Sequence, residues 1–130
     1  AALSPPCPFC SLPAERVIQE SGFAVVIRDG FPVSPGHTLI IPKRHVESFF
    51  GVTDAERTDL IALLAAARDD LDREFHPAGY NIGINDGAAA GQTVPHLHIH
   101  LIPRYDGDRD DPRGGVRWVL PDKAAYWNKD

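Results

Sequence analysis

One hundred and thirty residues amount to one ordinary domain, and 43% apolar side chains are enough for a real core, which excludes a disordered or fibrous chain. Thirteen basic against 18 acidic side chains give a net charge of −5 and a pI near 5.6, so the basic footprint that a nucleic-acid backbone demands is missing. The longest apolar runs, Phe23 to Ile27 and Leu60 to Ala67, fall short of the ~20 residues that cross a bilayer, so neither nucleic acid nor membrane is expected as a partner.

No basic segment followed by an apolar run opens the sequence, so secretion by that route is not expected and a cytoplasmic location is. The sequence begins at Ala1 and holds no methionine, which suggests that the numbering starts after processing or trimming. Around Cys7 and Cys10, Pro5, Pro6, Pro8 and Pro13 fix φ and remove donors, so residues 1 to 14 read as an irregular arm. Arg16 to Glu20 reads as a short strand. After Gly22, the β-branched run from Phe23 to Asp29 reads as another, and Thr38 to Ile41 as a buried one closed by Pro42. Phe49 and Phe50 fit a short helical turn.

A long helix starts at Thr53, which with Glu56 fits a capping box. Leu60, Leu63, Leu64, Ala67, Leu71 and Phe75 follow at spacings of three and four as one apolar stripe, and Pro77 and Gly79 end it. The stripe offers more apolar surface than one sheet requires, which points to a second copy of the chain. Tyr80 to Asn85 reads as a strand, Asp86 to Gly91 as a loop and His96 to Ile102 as a strand. From Arg104 the chain is loop-like up to the apolar Val116 to Leu120. These elements predict a single α+β domain over residues 1 to 130: an antiparallel sheet with one long helix and short helical turns.

The segment from His96 to Ile102 alternates strictly, so His96, His98 and His100 share one face of a strand, and Leu97, Ile99 and Leu101 share the other and pack on the helix. Three unpaired imidazoles would be costly to bury, so the row reads as chemistry: a three-histidine metal site, or imidazole working as nucleophile and acid–base near neutral pH. The preceding loop, Asn85 to Pro95, offers glycines, backbone N–H groups, an amide and a hydroxyl, a composition that can turn donors toward an anion in front of those imidazoles. The two cysteines are too few for a disulfide scaffold. They read as metal ligands or as a redox pair in a reducing compartment, although no thioredoxin-like βαβ unit surrounds them.

The stretch Gly91-Gln-Thr-Val-Pro-His-Leu-His-Ile-His-Leu-Ile-Pro-Arg104 resembles the signature of the histidine triad (HIT) family, and Gly36-His-Thr-Leu-Ile-Ile-Pro-Lys-Arg-His45 resembles the same family's strand and turn. The resemblance runs from about residue 7 to 106. It implies a HIT-like fold and a homodimer. It also implies a nucleotide hydrolase or transferase acting at an α-phosphate, with an adenine nucleotide as the expected ligand. His98 resembles the nucleophile, oriented by a backbone carbonyl on its other nitrogen, and His100 resembles the holder of a nonbridging phosphate oxygen. Asp29 resembles the acidic residue near the ribose; Asn85, Gly91, Gln92 and Thr93 resemble the phosphate loop, and His37 a neighbour of the triad.

The zinc-bearing branch of the family uses a C-x-x-C, a histidine after the Pro-Lys pair and the first histidine of the triad. Here these are Cys7, Cys10, His45 and His96, and the resemblance implies a closed structural zinc on them. Asn85 resembles the phosphoramidase branch, whereas Ile102-Pro-Arg104 and Gly107-Asp108 resemble bacterial and polyphosphate-cleaving members. The tail with Arg113, Arg117, Trp118 and Trp127 matches neither. The substrates implied are nucleoside phosphoramidates, dinucleoside polyphosphates or adenylated carriers. Two other functions fit the same residues: a nucleotide sensor without turnover, and a metal-dependent hydrolase with zinc on His96, His98 and His100. Against the latter, no acidic residue follows the H-x-H pair.

Overall fold

A computed structural model describes residues 7–128. Five strands form one antiparallel sheet in the order β1-β2-β3-β5-β4: β1 (Val17–Glu20), β2 (Ala24–Arg28), β3 (Thr38–Pro42), β4 (Gly79–Gly83) and β5 (Ile99–Arg104). A single long helix, α1 (Asp54–Phe75), crosses one face, and short 3-10 turns lie at Ala14–Arg16, Phe49–Gly51 and Ala88–Ala90. The α+β reading therefore holds. Among the described residues no helix is long and apolar enough to cross a membrane. Of the proline-rich arm, residues 1–6 lie outside those described.

The continuous apolar runs of β2 and β3 follow from burial on both faces. Ala24, Val26 and Ile40 point to α1, where Leu97, Ile99 and Leu101 join them against Leu60, Leu63, Ala67 and Leu71. Val25, Ile27, Leu39 and Ile41 point the other way, and Phe9 and Leu12 from the N-terminal arm, with Val17 of β1, cover them. The arm is thus the second layer of the domain, and it carries the two cysteines. The register Val25↔Ile41 and Leu39↔His100 then brings His100 into line with the middle strands.

The apolar stripe of α1 packs on its own sheet, with Leu60, Leu63, Ala67 and Leu71 buried there. Leu64 and Phe75 stay only partly buried and Ile61 is half-exposed, so apolar surface remains on the helix beyond what the sheet covers. The helix stops at Phe75 because His76 takes a left-handed conformation (φ 50°) ahead of Pro77. Gly36 lies against this end: its φ is +86°, and a Cβ there would meet Leu71 at 3.0 Å and Phe75 at 3.1 Å. That close approach seats the turn that delivers His37.

Two expected strands shift. The fourth runs Gly79–Gly83, ahead of Asn85, and the fifth begins at Ile99 and ends at Arg104. His96 and Leu97 stand outside the ladder because their N–H groups bond the Val94 and Val46 carbonyls, at 2.8 and 2.7 Å. The tail is more ordered than a loop. It holds 3-10 turns at Gly115–Val119 and Pro121–Lys123, and guanidiniums stack on its rings: Arg109 on Trp118 (4.8 Å), Arg113 on Trp127 (4.5 Å) and Arg117 on Tyr126 (4.7 Å).

The capping box closes in both directions, with the Thr53 N–H to Glu56 Oε1 at 2.8 Å and the Glu56 N–H to Thr53 Oγ1 at 3.1 Å. Arg44 then grips the buried Glu56 carboxylate with two bonds, of 3.0 and 2.8 Å, and donates to the Gly51 carbonyl. This clamp ties the segment after β3 to the start of α1. The Arg44 bonds, then the Thr53 N–H, hold Glu56 down at about 2 from an ordinary 4.5. Its contribution is complete above the ordinary range, declines as pH falls below about 4.5, and is gone below about 2. Urea unfolding should therefore show Glu56→Gln less stable than wild type by about 1–3 kcal/mol at pH 7, with the gap narrowing at pH 3. A pH-independent gap would assign the loss to packing.

Candidate functional site

Two groups of side chains meet along one line of the sheet, and His96 divides them. The first is a pocket of about 390 Å³ on the sheet face that the arm covers. Phe9, Asp29, Asn85, Gly91, Thr93, His98 and His100 are among its lining residues. The second is a sulfur–nitrogen cluster at the arm, made of Cys7, Cys10, His45 and His96.

In the pocket, the Nδ1–H of His98 donates to the His96 carbonyl at 2.8 Å, which leaves the Nε2 lone pair for the cavity. His37 and His100 are joined, Nε2 to Nδ1, at 3.0 Å. The Val33 N–H donates to His37 Nδ1 at 3.2 Å, so His37 carries its proton on Nε2 and donates to His100. His100 must then hold its own proton on Nε2, as a donor facing the pocket. Burial, then His98 and His37, push His100 down to about 4, and burial, opposed by Asp29, lowers His37. Both rings are neutral at pH 7. Asp29 closes the chain: one oxygen accepts from the Phe31 N–H at 2.8 Å and the other lies 3.4 Å from His37 Nε2.

Asn85, Gly91 and Thr93 line the pocket as the sequence suggested, but Gln92 does not. Its oxygen accepts from the Gly87 N–H at 2.8 Å, and its nitrogen donates to the Glu47 and Val94 carbonyls at 2.9 and 3.2 Å. The amide is consumed in bracing the loop, so it shapes the pocket wall from behind. Phe9, Arg16 and Phe31 also line the pocket, and sequence reasoning passed over all three. For Phe9 a signal existed: it stands inside the C-x-x-C.

His96 keeps the arm-covered side of the sheet, where Phe9 touches both it and His98, but it faces the cysteines and does not line the pocket. It is fully buried, with Nε2–H donating to the Pro42 carbonyl at 2.8 Å and Nδ1 facing Cys7 Sγ at 3.3 Å and Cys10 Sγ at 3.5 Å. His45 Nδ1 lies 3.2 Å from Cys10 Sγ. The four candidate ligand atoms all lie within 4.8 Å of one another. Bonds of ~2.3 Å to sulfur and ~2.0–2.1 Å to nitrogen give a tetrahedral S···N edge of about 3.5 Å, so these spacings fit a tetrahedral metal. The Pro42 carbonyl fixes the His96 tautomer that a metal requires. Among the described residues the three triad histidines do not converge as a ligand set. The other grouping, Asp29, His37 and His100, is the hydrogen-bonded chain already described. That geometry removes the reading with zinc on His96, His98 and His100.

The HIT domain model matches residues 13–107. A bis(5'-nucleosyl)-tetraphosphatase (asymmetrical) from Schizosaccharomyces pombe is 44% identical over 77 residues, 59% of this chain and 42% of that protein. An AP-4-A phosphorylase from Mycobacterium tuberculosis is 32% identical over 116 residues, 83% of this chain and 58% of that protein. This chain therefore spans about half the length of these two relatives. A crystal structure of a Zn-bound histidine triad family protein from Mycobacterium smegmatis superposes with a TM-score of 0.71 at 31% identity, covering 95% of this chain and 97% of that one.

Nitrogen-15 shifts recorded from pH 8 downward should keep His100 neutral, with its proton on Nε2, until about pH 4. Protonation near the ordinary 6.5 would show that burial does not govern this ring.

Proposed function

The chain belongs to the HIT domain family, and on that premise we propose that it is a nucleotide hydrolase or transferase that cleaves at an α-phosphate through a nucleotide held covalently on His98. The observation that carries this reading is the bond from His98 Nδ1–H to the His96 carbonyl, which leaves Nε2 as a free nucleophile in the pocket. Nε2 attacks the α-phosphorus and the bond from phosphorus to the leaving group breaks with its electron pair going to that group, which leaves as an anion or, for an amine, takes a proton from solvent. Water then attacks the same phosphorus and releases a proton to solvent, the P–N bond breaks, and His98 returns with its lone pair. His100 Nε2–H donates to a nonbridging oxygen, where charge accumulates. Asn85, Thr93 and the backbone at Gly91 hold the phosphate, and Asp29 faces the ribose.

Nucleoside phosphoramidates and dinucleoside polyphosphates are the proposed substrates, with adenine as the base. The names of the fission-yeast and mycobacterial relatives favour the second class. A homodimer is part of the same reading; edge strand β4, with half-exposed Ile82, offers a surface for it. Cys7, Cys10, His45 and His96 would hold a structural zinc, supported by their spacing and by the Zn-bound mycobacterial neighbour. Such an ion supplies cross-linking of the arm to the sheet.

With a fluorogenic adenosine phosphoramidate and diadenosine tetraphosphate as substrates, His98→Ala should lose on the order of 10³ or more in turnover while still binding AMP. Wild type quenched during turnover should carry acid-labile nucleotide. Near-wild-type rates in His98→Ala would end this mechanism, and AMP binding without turnover by wild type would make the protein a sensor.

Atomic absorption should find one zinc per chain in protein purified without added metal. Cys7→Ser or Cys10→Ser should lower the melting temperature by roughly 5 °C or more, and zinc affinity should weaken at acid pH as the ligands protonate. A metal-free wild type whose cysteine variants melt unchanged would refute the zinc assignment.

A further inference from the structure

Cys7, Pro8, Phe9 and Cys10 form one tight turn, closed by the Cys10 N–H on the Cys7 carbonyl at 3.2 Å. Its two ends belong to the sulfur–nitrogen cluster, and its two middle residues, Pro8 and Phe9, are wall of the nucleotide pocket. The Phe9 ring stands edge-on to His98 at 5.1 Å and 66°, and edge-on to His96 at 5.9 Å and 88°. It therefore touches one proposed metal ligand and the proposed nucleophile at once. From beneath, it is seated on the apolar face of Val25, Ile27, Leu39 and Ile41.

From this geometry we infer that Phe9 is a positioning residue through which metal occupancy at Cys7, Cys10, His45 and His96 is coupled to nucleotide binding at His98. The inference rests on the nucleotide reading above. The turn holds no regular secondary structure of its own, and apart from the Phe9 seat it is tied down through its two sulfurs. With an ion in place, the wall and the ring against His98 are set before the nucleotide arrives. Without one, the nucleotide must order the turn as it binds, and the cost falls on its affinity. Coupling of this kind is reciprocal: whatever factor the metal contributes to nucleotide affinity, the nucleotide contributes to metal affinity.

The experiment is calorimetric titration of AMP into the full chain, zinc-loaded and then stripped by a chelator under reducing conditions, with circular dichroism to establish that the stripped protein keeps its sheet. Stripping should weaken AMP binding by on the order of tenfold, within the roughly 5–150-fold range of such couplings, and saturating AMP should tighten zinc by the same factor. Phe9→Ala should still hold one zinc per chain, bind AMP more weakly, and bind it equally with and without zinc. Phe9→Leu, which refills the wall, should restore part of both effects. A generally destabilising truncation would not erase the zinc dependence while leaving zinc bound.

Equal AMP affinity in the loaded and stripped wild type would overturn the coupling and leave the nucleotide reading standing. Retention of the full zinc dependence in Phe9→Ala would overturn the role of Phe9. If stripping unfolds the chain, zinc-loaded Phe9→Ala decides: wild-type AMP affinity there refutes the proposal, and a loss reversed by Phe9→Leu supports it. Failure of zinc-loaded wild type to bind AMP at all would remove the nucleotide reading and the coupling with it.

Discussion

One buried imidazole organises this molecule. His96 has three polar groups that matter, and each is committed in a different direction: Nδ1 to the two sulfurs, Nε2–H to the Pro42 carbonyl, and its own carbonyl to His98 Nδ1. The first joins the arm to the sheet, the second anchors the ring to the end of β3, and the third sets the tautomer of the neighbouring histidine. A buried polar group left without a partner costs roughly 1–3 kcal/mol, so these commitments are not independent choices. Turning the ring toward one of its two partners would forfeit the other, and the backbone of the same residue carries the bond to His98. The proposed nucleophile thus inherits its orientation from the same residue that faces the cysteines.

The layering of the domain makes this arrangement possible. A five-stranded sheet with one helix would leave a face exposed, and β2 and β3 are apolar on both sides. The N-terminal arm covers the second face with Phe9 and Leu12, beside Val17 of β1, and because it does so it must run past the pocket. Proline suits such an arm, since a covering segment that pairs with no strand has no use for the lost N–H. On the other side, the Arg44 clamp on Glu56 fixes the segment holding His45, while the Val46 carbonyl takes the Leu97 N–H. Two separate devices therefore bring His45 and His96 to the same cysteines.

Periodicity made much of this legible. Leu97, Ile99 and Leu101 lie where alternation puts them, and Thr53 with Glu56 caps the helix as the spacing says. Where a side chain's task is set by partners distant in sequence, pattern was silent. Nothing local marks Gln92 as spent on Glu47, 45 residues away, or Arg44 as the partner of Glu56. The separate task of His96 on that shared face was hidden for the same reason, because the sulfurs it meets lie 89 and 86 residues away.

The pocket side of the site obeys a comparable economy of protons. A chain of donors runs from the Val33 N–H through His37 to His100, and each ring in it is neutral with its hydrogens directed one way. Neutrality is what makes the chain work. A protonated His100 would have no lone pair at Nδ1 to accept from His37, so the chain would break at that link. It would also place a positive charge beside His98, whose ring centroid is 5.0 Å away, and draw electron density from the lone pair that the proposed mechanism uses. Burial holds His100 down to about 4, so the pocket presents a fixed, uncharged hydrogen-bond donor beside the proposed nucleophile. The close packing that looks merely structural around His37 and His100 is thereby part of the proposed chemistry: it selects which proton is present and where it points.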